Sequence, residues 1–318
     1  DNVEAKTFHA FGFAAIRGAG VRTKVNNFKV NNIVKELLGK DFHVAPVKKL
    51  VSLVKGSLIE PKDIKSLHRL IGEYNINFHS ERELNIVLEA MPAILTMCKT
   101  QTHLIDFDDM VWLPLVNNYP LPRYDILFVD EAQDFNESQR ELIMRSVGNG
   151  RCIIVGDKNQ AIYGFRGADS NSIAMFHQRL SKGERKISDF PLSITWRCPV
   201  SVVKEANRYV PELKYHEDAT NGSVIENAPF NPQADDMVLC RYNAPLVGAF
   251  YELISAGKSA YILGRDMTKG LIMAVEKISK NKHMGSDEFW QLYEKDFDFN
   301  YERLISEDKK SQAFALDD

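Results

Sequence analysis

The stretch Tyr124–Asp134 constrains the fold of this 318-residue chain more than any other. Its four apolar residues Ile126–Val129 are followed directly by Asp130 and Glu131, and a helix-like segment begins a few positions later. A strand buried on both faces has a continuous rather than an alternating apolar sequence, which is typical of parallel sheets. In open α/β sheets, ligands bind just beyond the carboxyl ends of such strands. The stretch therefore predicts a buried strand that delivers two carboxylates to a functional site.

Adjacent carboxylates suit phosphoryl transfer, because one can hold a Mg²⁺ ion while the other orients or deprotonates the attacking water. An acidic helix N-terminus, stabilised by the helix dipole, is the alternative explanation for Asp130 and Glu131. Residues 151–157 predict a second buried strand that also ends in an acid, Asp157. Gln160, three positions further on, can position a water molecule or a phosphate. Polar groups at two consecutive strand ends favour a site over an acidic helix start.

Composition limits the class of protein. A chain of this length with 44% hydrophobic residues exceeds what one core usually serves, so two or three domains are expected. The four cysteines are far apart and lack metal-site spacing, which predicts free thiols in a reducing compartment. No apolar stretch approaches membrane-spanning length. These features predict a cytoplasmic protein with no membrane partner, and the absence of an initial methionine suggests a fragment of a longer protein.

Residues 21–100 have a mostly helical pattern. Candidate helices are Lys29–Leu38, Pro61–Tyr74 and one that begins after Ser80 with Glu83 in a capping box, and Pro92 is expected to kink or stop the third. Residues 21–85 carry 12 basic and 7 acidic residues. The segment predicts a helical insertion whose basic surface faces nucleic acid, and an ordinary solvated helical surface is the alternative.

Further along, residues 237–242, 244–256 and 260–263 have the pattern of a β-α-β unit, which predicts a second parallel sheet. Before that unit, Arg197 stands at the end of a short predicted strand that leads into a helix opening with Pro199. An arginine at this position can complete a phosphate site from a second domain.

Two groups of residues are candidates for contact with nucleic acid. Tyr163, Phe165 and Arg166 place two rings and a guanidinium within four positions, a suitable platform for stacked single-stranded bases that contribute about 1 to 3 kcal/mol each. Aromatic residues that plug a core are an equal alternative. Thr7 is a predicted helix N-cap, and Thr7 and His9 can donate hydrogen bonds to phosphate, although an ordinary capped helix explains both.

Several stretches in this order resemble motifs of the UvrD/Rep-like branch of superfamily 1 DNA helicases. The resemblance covers most of residues 5 to 266. It rests on three motifs, Asp130–Asp134, Val155–Asp169 and Thr195–Pro199, with supporting matches at Thr7–Gly12 and Asp106–Asp109.

The resemblance implies ATP and Mg²⁺ as cofactors and assigns catalytic roles to four residues. Asp130 would coordinate Mg²⁺, and Glu131 would act as the base for the attacking water. Gln160 would sense the γ-phosphate and couple hydrolysis to the DNA-contact loop. Arg197 would be an arginine finger that neutralises charge as the phosphoryl group departs.

Further roles in binding follow from the same resemblance. Trp196 occupies the position of a tyrosine that stacks on adenine in this family, and Asp157 is expected to help bind the nucleotide. Phe165 stands where many members have tryptophan. The residues expected to contact DNA are Thr7, His9, Tyr163, Phe165 and Arg166.

The fold implied is α/β, with a RecA-like parallel sheet of the P-loop NTPase type, a helical insertion and part of a second RecA-like domain. The expected domains are an incomplete first motor domain (1–20 and 101–187), the insertion (21–100), the start of the second motor domain (188–270) and an acidic helical segment leading to an inserted domain (271–318). The chain contains no Gly-x-x-x-x-Gly-Lys-Ser/Thr loop, which is expected upstream of Asp1. Later family motifs are expected beyond Asp318.

These expectations predict a DNA helicase or translocase, active in DNA repair or replication, that couples ATP hydrolysis to movement on single-stranded DNA. The direction is expected to be 3′ to 5′, and the partner is single-stranded DNA or a junction of single- and double-stranded DNA. The present chain is expected to be inactive alone. The alternatives are a degenerate DNA-binding or scaffold module without catalysis, and the helicase part of a helicase-nuclease.

Overall fold

The computed structural model describes residues 3–161, 171–182, 186–241 and 243–263. Contacts divide the chain into two compact units, residues 1–222 and 223–318. The predicted segment 271–318 lies outside the described residues. The helices and strands of the first unit are, in order, α1 (Phe8–Gly18), β1 (Lys24–Val25), α2 (Lys29–Leu38), α3 (Val44–Ser57), α4 (Ile64–Glu73), α5 (Glu81–Thr100), β2 (Leu104–Ile105), α6 (Phe107–Val116), β3 (Ile126–Val129), α7 (Glu137–Val147), β4 (Arg151–Ile154), α8 (Ser172–Lys182), β5 (Ile194–Thr195), α9 (Val200–Ala206) and β6 (Lys214–Tyr215).

The described strands form three short parallel pairs, β1 with β2, β3 with β4 and β5 with β6. Parallel neighbours need a long crossover connection, and in each pair this connection contains at least one helix. Helices α2 to α5 lie between β1 and β2, so the chain leaves the first pair at Val25 and returns beside it at Leu104. The architecture is therefore mixed α/β, with short parallel strand pairs.

The prediction that Ile126–Val129 is buried on both faces is wrong for the described chain. Ile126 is 51% exposed and Phe128 is 73% exposed, whereas Val129 is buried. The alternate residues of β3 point to opposite faces, and β4 is its one neighbouring strand among the residues described here. Ile153 of β4 is exposed in the same way. The strand pair consequently has a covered face and an apolar face in contact with solvent.

The second unit contains α10 (Asn243–Ser255), which confirms the predicted helix within one residue at each end. The prediction of a strand on either side of α10 is wrong for the residues that the structure describes there. Residues 237–241 and 258–262 are assigned to neither strand nor helix. Their apolar side chains are exposed, with Met237, Leu239 and Tyr261 all more than 70% accessible. An alternating apolar sequence forms a strand only where a neighbouring strand completes its hydrogen bonds.

Helix boundaries follow local capping groups. Helix α4 begins at Ile64 rather than at Pro61, because the Asp63 carboxylate accepts a hydrogen bond from Ser66 N at 3.1 Å. Helix α5 continues through Pro92, contrary to a stop at that residue. Proline removes one helical hydrogen bond, but buried residues on both sides of it, Met91 and Ile94 among them, hold this helix against the core.

Helices α2, α3, α5 and α6 share one hydrophobic core, and a group of charged residues lies inside it. Lys29 Nζ is 2.6 Å from Asp109 Oδ2, and Lys55 Nζ is 2.8 Å from Asp109 Oδ1 and 2.9 Å from Asp106 Oδ2. Burial opposes the charged form of Lys55, yet the neighbouring Cys98, Asp109 and Asp106 raise its pKa above the ordinary value. These two lysines therefore add no positive charge to the surface of the helical segment, which weakens the argument from its basic composition.

Helix α1 packs closely against α6 at Gly12. A Cβ atom at this position would lie 1.9 Å from the carbonyl oxygen of Met110. Such a contact is impossible without a shift of the backbone, so the absence of a side chain allows the two helices to touch. The packing of α1 on α6 brings the Thr7–Gly12 motif beside the Asp106–Asp109 motif, which lies in and just before the first turn of α6.

We expect Gly12→Ala to lower the free energy of unfolding by about 1 to 3 kcal/mol, because α1 must move away from α6. Gly18→Ala is the matched control within the same helix, since nothing lies within 4 Å of the Cβ it would add. This control is expected to be neutral or slightly stabilising. Urea unfolding followed by circular dichroism compares the two variants, and equal effects would contradict the close approach.

Among the described helices, none combines the length and the apolar character that crossing a membrane requires.

Candidate functional site

The two predicted acids stand directly after β3. Asp130 Oδ1 accepts a hydrogen bond from the backbone N–H of Glu131 at 2.9 Å, and both residues are exposed. Glu131 has a φ of 53°, in the left-handed region that residues with a Cβ rarely adopt. The chain then forms a short 3₁₀ turn, Ala132–Asp134. Backbone strain of this kind is concentrated at functional sites, where surrounding contacts hold the unfavourable conformation.

Gln133 links the ends of the two strands. Its Nε2 donates to Glu131 Oε2 at 2.6 Å, and its Oε1 accepts from the backbone N–H of Asp157 at 3.0 Å. The side chain is buried, so its amide stays in one orientation only while both partners are present. Gln133 thus ties the acid that follows β3 to the acid that follows β4.

Gly156 makes this link possible. A Cβ atom here would lie 2.6 Å from Gln133 Oε1 and 3.0 Å from Ala132 N. A side chain here would therefore displace the Gln133 amide and crowd Ala132 N, which donates to the carbonyl oxygen of Val155 at 3.0 Å. The close approach of the two strand ends therefore depends on glycine at this position.

Asp157 extends the hydrogen-bonded chain to Gln160. One oxygen of Asp157, Oδ1, accepts from Asn159 N at 2.9 Å, and the other, Oδ2, accepts from Gln160 Nε2 at 2.9 Å. Hydrogen bonds consequently run without a break from Glu131 through Gln133 and Asp157 to Gln160. We refer to these four residues as the strand-end network.

Asp134 lies at the edge of this network. Burial raises the pKa of its carboxyl above the ordinary value, and the negative charge of Glu131 raises it further. Its Oδ1 is withdrawn from solvent and has no hydrogen-bond partner among the described residues. A carboxyl group in this environment is easier to protonate than a free one.

Two aromatic rings at the start of α1 contact Phe135, which follows the 3₁₀ turn after β3, and Phe107 at the start of α6. The Phe8 ring packs edge to face on Phe135 with centroids 4.6 Å apart, and the His9 ring packs similarly on Phe107 at 5.5 Å. Thr7 Oγ1 accepts from Ala10 N at 3.2 Å, which confirms the predicted N-cap. The structure thus places Thr7 and His9 at one helix start beside the half-exposed ring of Phe107.

Arg197 and Trp196 lie elsewhere, directly after β5. The backbone N–H of Arg197 donates to Thr195 Oγ1 at 3.2 Å. Within the described ranges, no hydrogen bond or ion pair joins the Arg197 side chain to the strand-end network. Trp196 is 78% exposed and stacks on His216, with centroids 3.5 Å apart and an angle of 29° between the rings. Tyr163, Phe165 and Arg166 lie outside the described residues.

The sequence thus predicts three members of the network, Glu131, Asp157 and Gln160, but not Gln133, which joins them. The sequence feature that could have revealed Gln133 is a polar side chain at the second position after Glu131. The segment around it is too short to show periodicity. The network groups the exposed carboxylate of Glu131 and the partly buried carboxylate of Asp157 with two amide side chains at adjacent ends of parallel strands. Carboxylate oxygens are the ligands that hard cations such as Mg²⁺ prefer, and amides can orient water.

A sequence model described as the UvrD/REP helicase N-terminal domain matches residues 1–181. The chain belongs to the UvrD/REP helicase family. The resemblance inferred from the three motifs is therefore confirmed. The matched region contains α1, the helical segment and the whole strand-end network, so the network lies within the part of the chain that defines the family.

Individual relatives of this chain are matched over only part of their length. The F-box DNA helicase protein 1 of Schizosaccharomyces pombe is 27% identical over 226 residues, or 65% of this chain and 25% of that protein. The ATP-dependent DNA helicase Rep of Buchnera aphidicola subsp. Acyrthosiphon pisum is 26% identical over 225 residues, or 64% of this chain and 32% of that protein. Escherichia coli Rep is 33% identical over 120 residues, or 33% and 16%. The chain spans a quarter to a third of the length of the first two relatives.

Proposed function

We propose that this chain is the central part of an ATP-dependent DNA helicase or translocase of the UvrD/Rep type, which moves 3′ to 5′ on single-stranded DNA. The observation that carries the proposal is the strand-end network, because the hydrogen bond from the Asp157 backbone N–H to the Gln133 side chain connects two family motifs, and side-chain bonds extend it to Glu131 and Gln160. Relatives whose names state ATP-dependent DNA helicase activity support the substrate and the nucleotide.

Each residue of the site has a proposed role, and that of Asp157 is to help bind the nucleotide. Asp130 and Glu131 are exposed carboxylates at one strand end, and their oxygens suit Mg²⁺ as the ion that accompanies ATP. ATP supplies the phosphoryl group that is transferred to water. Glu131 accepts a proton from that water, and the Gln133 amide holds the Glu131 carboxylate in place. Gln160 exchanges its hydrogen bond to Asp157 for one to the γ-phosphate when ATP is bound. The loop that follows Gln160 and contacts DNA therefore responds to the presence of the γ-phosphate.

Residues outside the network complete the proposed motor. Arg197 supplies positive charge to the departing phosphoryl group when the parts of the motor close. Trp196, which is exposed and already stacked on His216, offers its other face to adenine. Thr7 and His9, together with Tyr163, Phe165 and Arg166, contact single-stranded DNA. These roles imply a site that is completed only by movement, since Arg197 does not contact the network in the described part of the chain.

The proposed architecture is a RecA-like motor. Residues 1–20 and 101–187 form part of the first motor domain, residues 21–100 are its helical insertion, and residues 188–270 begin the second. Residues 271–318 lead to a further inserted domain. The exposed apolar face of β3 and β4 supports this arrangement, because a larger parallel sheet covered on both faces would bury Ile126 and Phe128.

The proposal is tested by ATP hydrolysis of the full-length protein with and without single-stranded DNA. We expect stimulation by DNA, and we expect the 318-residue chain alone to remain at background because it contains no Gly-x-x-x-x-Gly-Lys-Ser/Thr loop. Turnover of the isolated chain comparable to that of the full-length protein would refute the expected inactivity. A full-length protein that binds DNA with strong salt dependence but ignores ATP would instead establish a DNA-binding module without catalysis.

A further inference from the structure

Two histidines and a glutamate from separate parts of the chain meet in the helical segment. Each of His43, His79 and Glu83 offers one nitrogen or carboxylate oxygen, and these three atoms lie within 4.8 Å of one another. His43 immediately precedes α3, and His79 and Glu83 stand at the start of α5. Because His43 is distant from the other two in sequence, no spacing motif reveals the cluster. The fold alone brings these ligands together.

The two imidazole rings are stacked, with centroids 4.6 Å apart and an angle of 28° between them. His43 occupies the N-cap position of α3 but makes no capping hydrogen bond with its side chain. Its Nδ1 atom is withdrawn from solvent and has no hydrogen-bond partner among the described residues. Buried polar atoms are nearly always satisfied in folded proteins, so this nitrogen indicates a partner of another kind.

Local hydrogen bonds hold Glu83 beside the histidines. Its carboxylate Oε2 accepts from the backbone N–H of His79 at 2.6 Å, and its own N–H donates to Ser80 Oγ at 3.1 Å. A carboxylate accepts at two oxygens, so the bond from His79 leaves capacity for a further ligand. The carboxylate is therefore oriented before any ion arrives, as ligand carboxylates in metal sites commonly are.

We propose that His43, His79 and Glu83 bind a divalent transition-metal ion of the Zn²⁺ class. Two imidazoles and one carboxylate form a donor set typical of zinc, whereas Mg²⁺ favours oxygen ligands and retains water. Nitrogen and oxygen ligands about 2.0 to 2.1 Å from zinc lie about 3.3 Å apart in a tetrahedral site. The three atoms already lie within 4.8 Å of one another, and rotation of their side chains would bring them to that spacing.

The bound ion would connect the start of α3 to the start of α5. These helices belong to the shared core of the helical segment, so the ion would fix the ends of two elements that already pack together. This inference is independent of the proposed helicase function, because none of its residues belongs to the strand-end network. Its failure would leave the motor proposal untouched.

The test is a titration of the metal-free full chain with Zn²⁺ against a competing chromophoric chelator. We expect His79→Ala to weaken binding at least tenfold and Glu83→Gln to weaken it as well, although glutamine still accepts the bond from His79 N–H. His68→Ala is the matched control, because His68 is an exposed histidine in α4 of the same segment. It is expected to bind Zn²⁺ as tightly as the unaltered chain, and circular dichroism verifies that every variant is folded.

A second measurement separates this site from other ligands for zinc. The double variant Asp130→Asn, Glu131→Gln removes the two exposed carboxylates that follow β3 and is expected to retain the tight Zn²⁺ affinity. Substitution of Co²⁺ provides a visible spectrum that is expected to change in His79→Ala but not in His68→Ala. Equal Zn²⁺ affinity of His79→Ala and the unaltered chain overturns the proposal, as does loss of tight binding in the double variant.

Discussion

Replacing Glu131 with glutamine in the full-length protein is expected to reduce DNA-stimulated ATP hydrolysis by about 10²- to 10⁴-fold, the range typical of a lost general base. Glutamine preserves the size of the side chain and can still accept the hydrogen bond from Gln133 Nε2. The substitution therefore removes the basic oxygen with little change in packing. Steady-state hydrolysis at saturating single-stranded DNA measures the loss, and binding of labelled DNA should change little.

Gln133→Ala is expected to cause a smaller loss of ATP hydrolysis than Glu131→Gln. It removes the donor that orients Glu131 but leaves the base itself, so a loss of about 10- to 100-fold is expected from the value of one charge-assisted hydrogen bond. Glu89→Gln and Gln178→Ala are the matched controls, since both side chains are exposed and neither makes a hydrogen bond to the network among the described residues. Activity of Glu131→Gln equal to that of Glu89→Gln would exclude Glu131 as the base.

Replacing Asp109 with asparagine is expected to lower the free energy of unfolding by about 3 to 5 kcal/mol, the usual cost of breaking a buried ion pair by removing one partner. Asp109 is fully buried and neutralises both Lys29 and Lys55. After the change, Lys55 retains Asp106, whereas Lys29 retains only the carbonyl oxygen of Cys98 at 2.7 Å. Urea unfolding of the purified chain measures the difference.

Asp63→Asn makes the same chemical change at an exposed carboxylate near a helix start. Asp63 caps α4 through Ser66, and asparagine caps helices about as well as aspartate, so stability should stay close to that of the unaltered chain. If Asp109→Asn is no more destabilising than Asp63→Asn, the prediction is contradicted, because the charges of the buried lysines would then not depend on the Asp109 carboxylate for neutralisation.

Features governed by neighbouring residues could be predicted from the sequence. Thr7 caps α1 as expected, and Asn136 and Gln139 form the reciprocal capping box that starts α7. Helix α2 has the predicted bounds, Lys29–Leu38. A capping side chain and its target N–H are three positions apart, so the whole interaction is contained in a short window of sequence.

Contacts between segments that are distant in the sequence could not be predicted in this way. Lys29 and Lys55 contribute to a basic composition, yet the fold buries both against Asp109. The apolar run of β3 predicts burial on two faces, but the described part of the sheet covers only one. A pattern of apolar residues shows that a strand can be buried, while the elements that cover it are fixed elsewhere in the chain.

By itself the sequence determined the order of the motifs, the family and the positions of Asp130, Glu131, Asp157 and Gln160 at two strand ends. Only the tertiary structure decided that Gln133 and Gly156 bring those strand ends into one hydrogen-bonded network and that His43 meets His79 and Glu83. The reason is physical: hydrogen bonds and close approaches depend on distances of a few ångströms, which the chain sets by packing and not by spacing along its length.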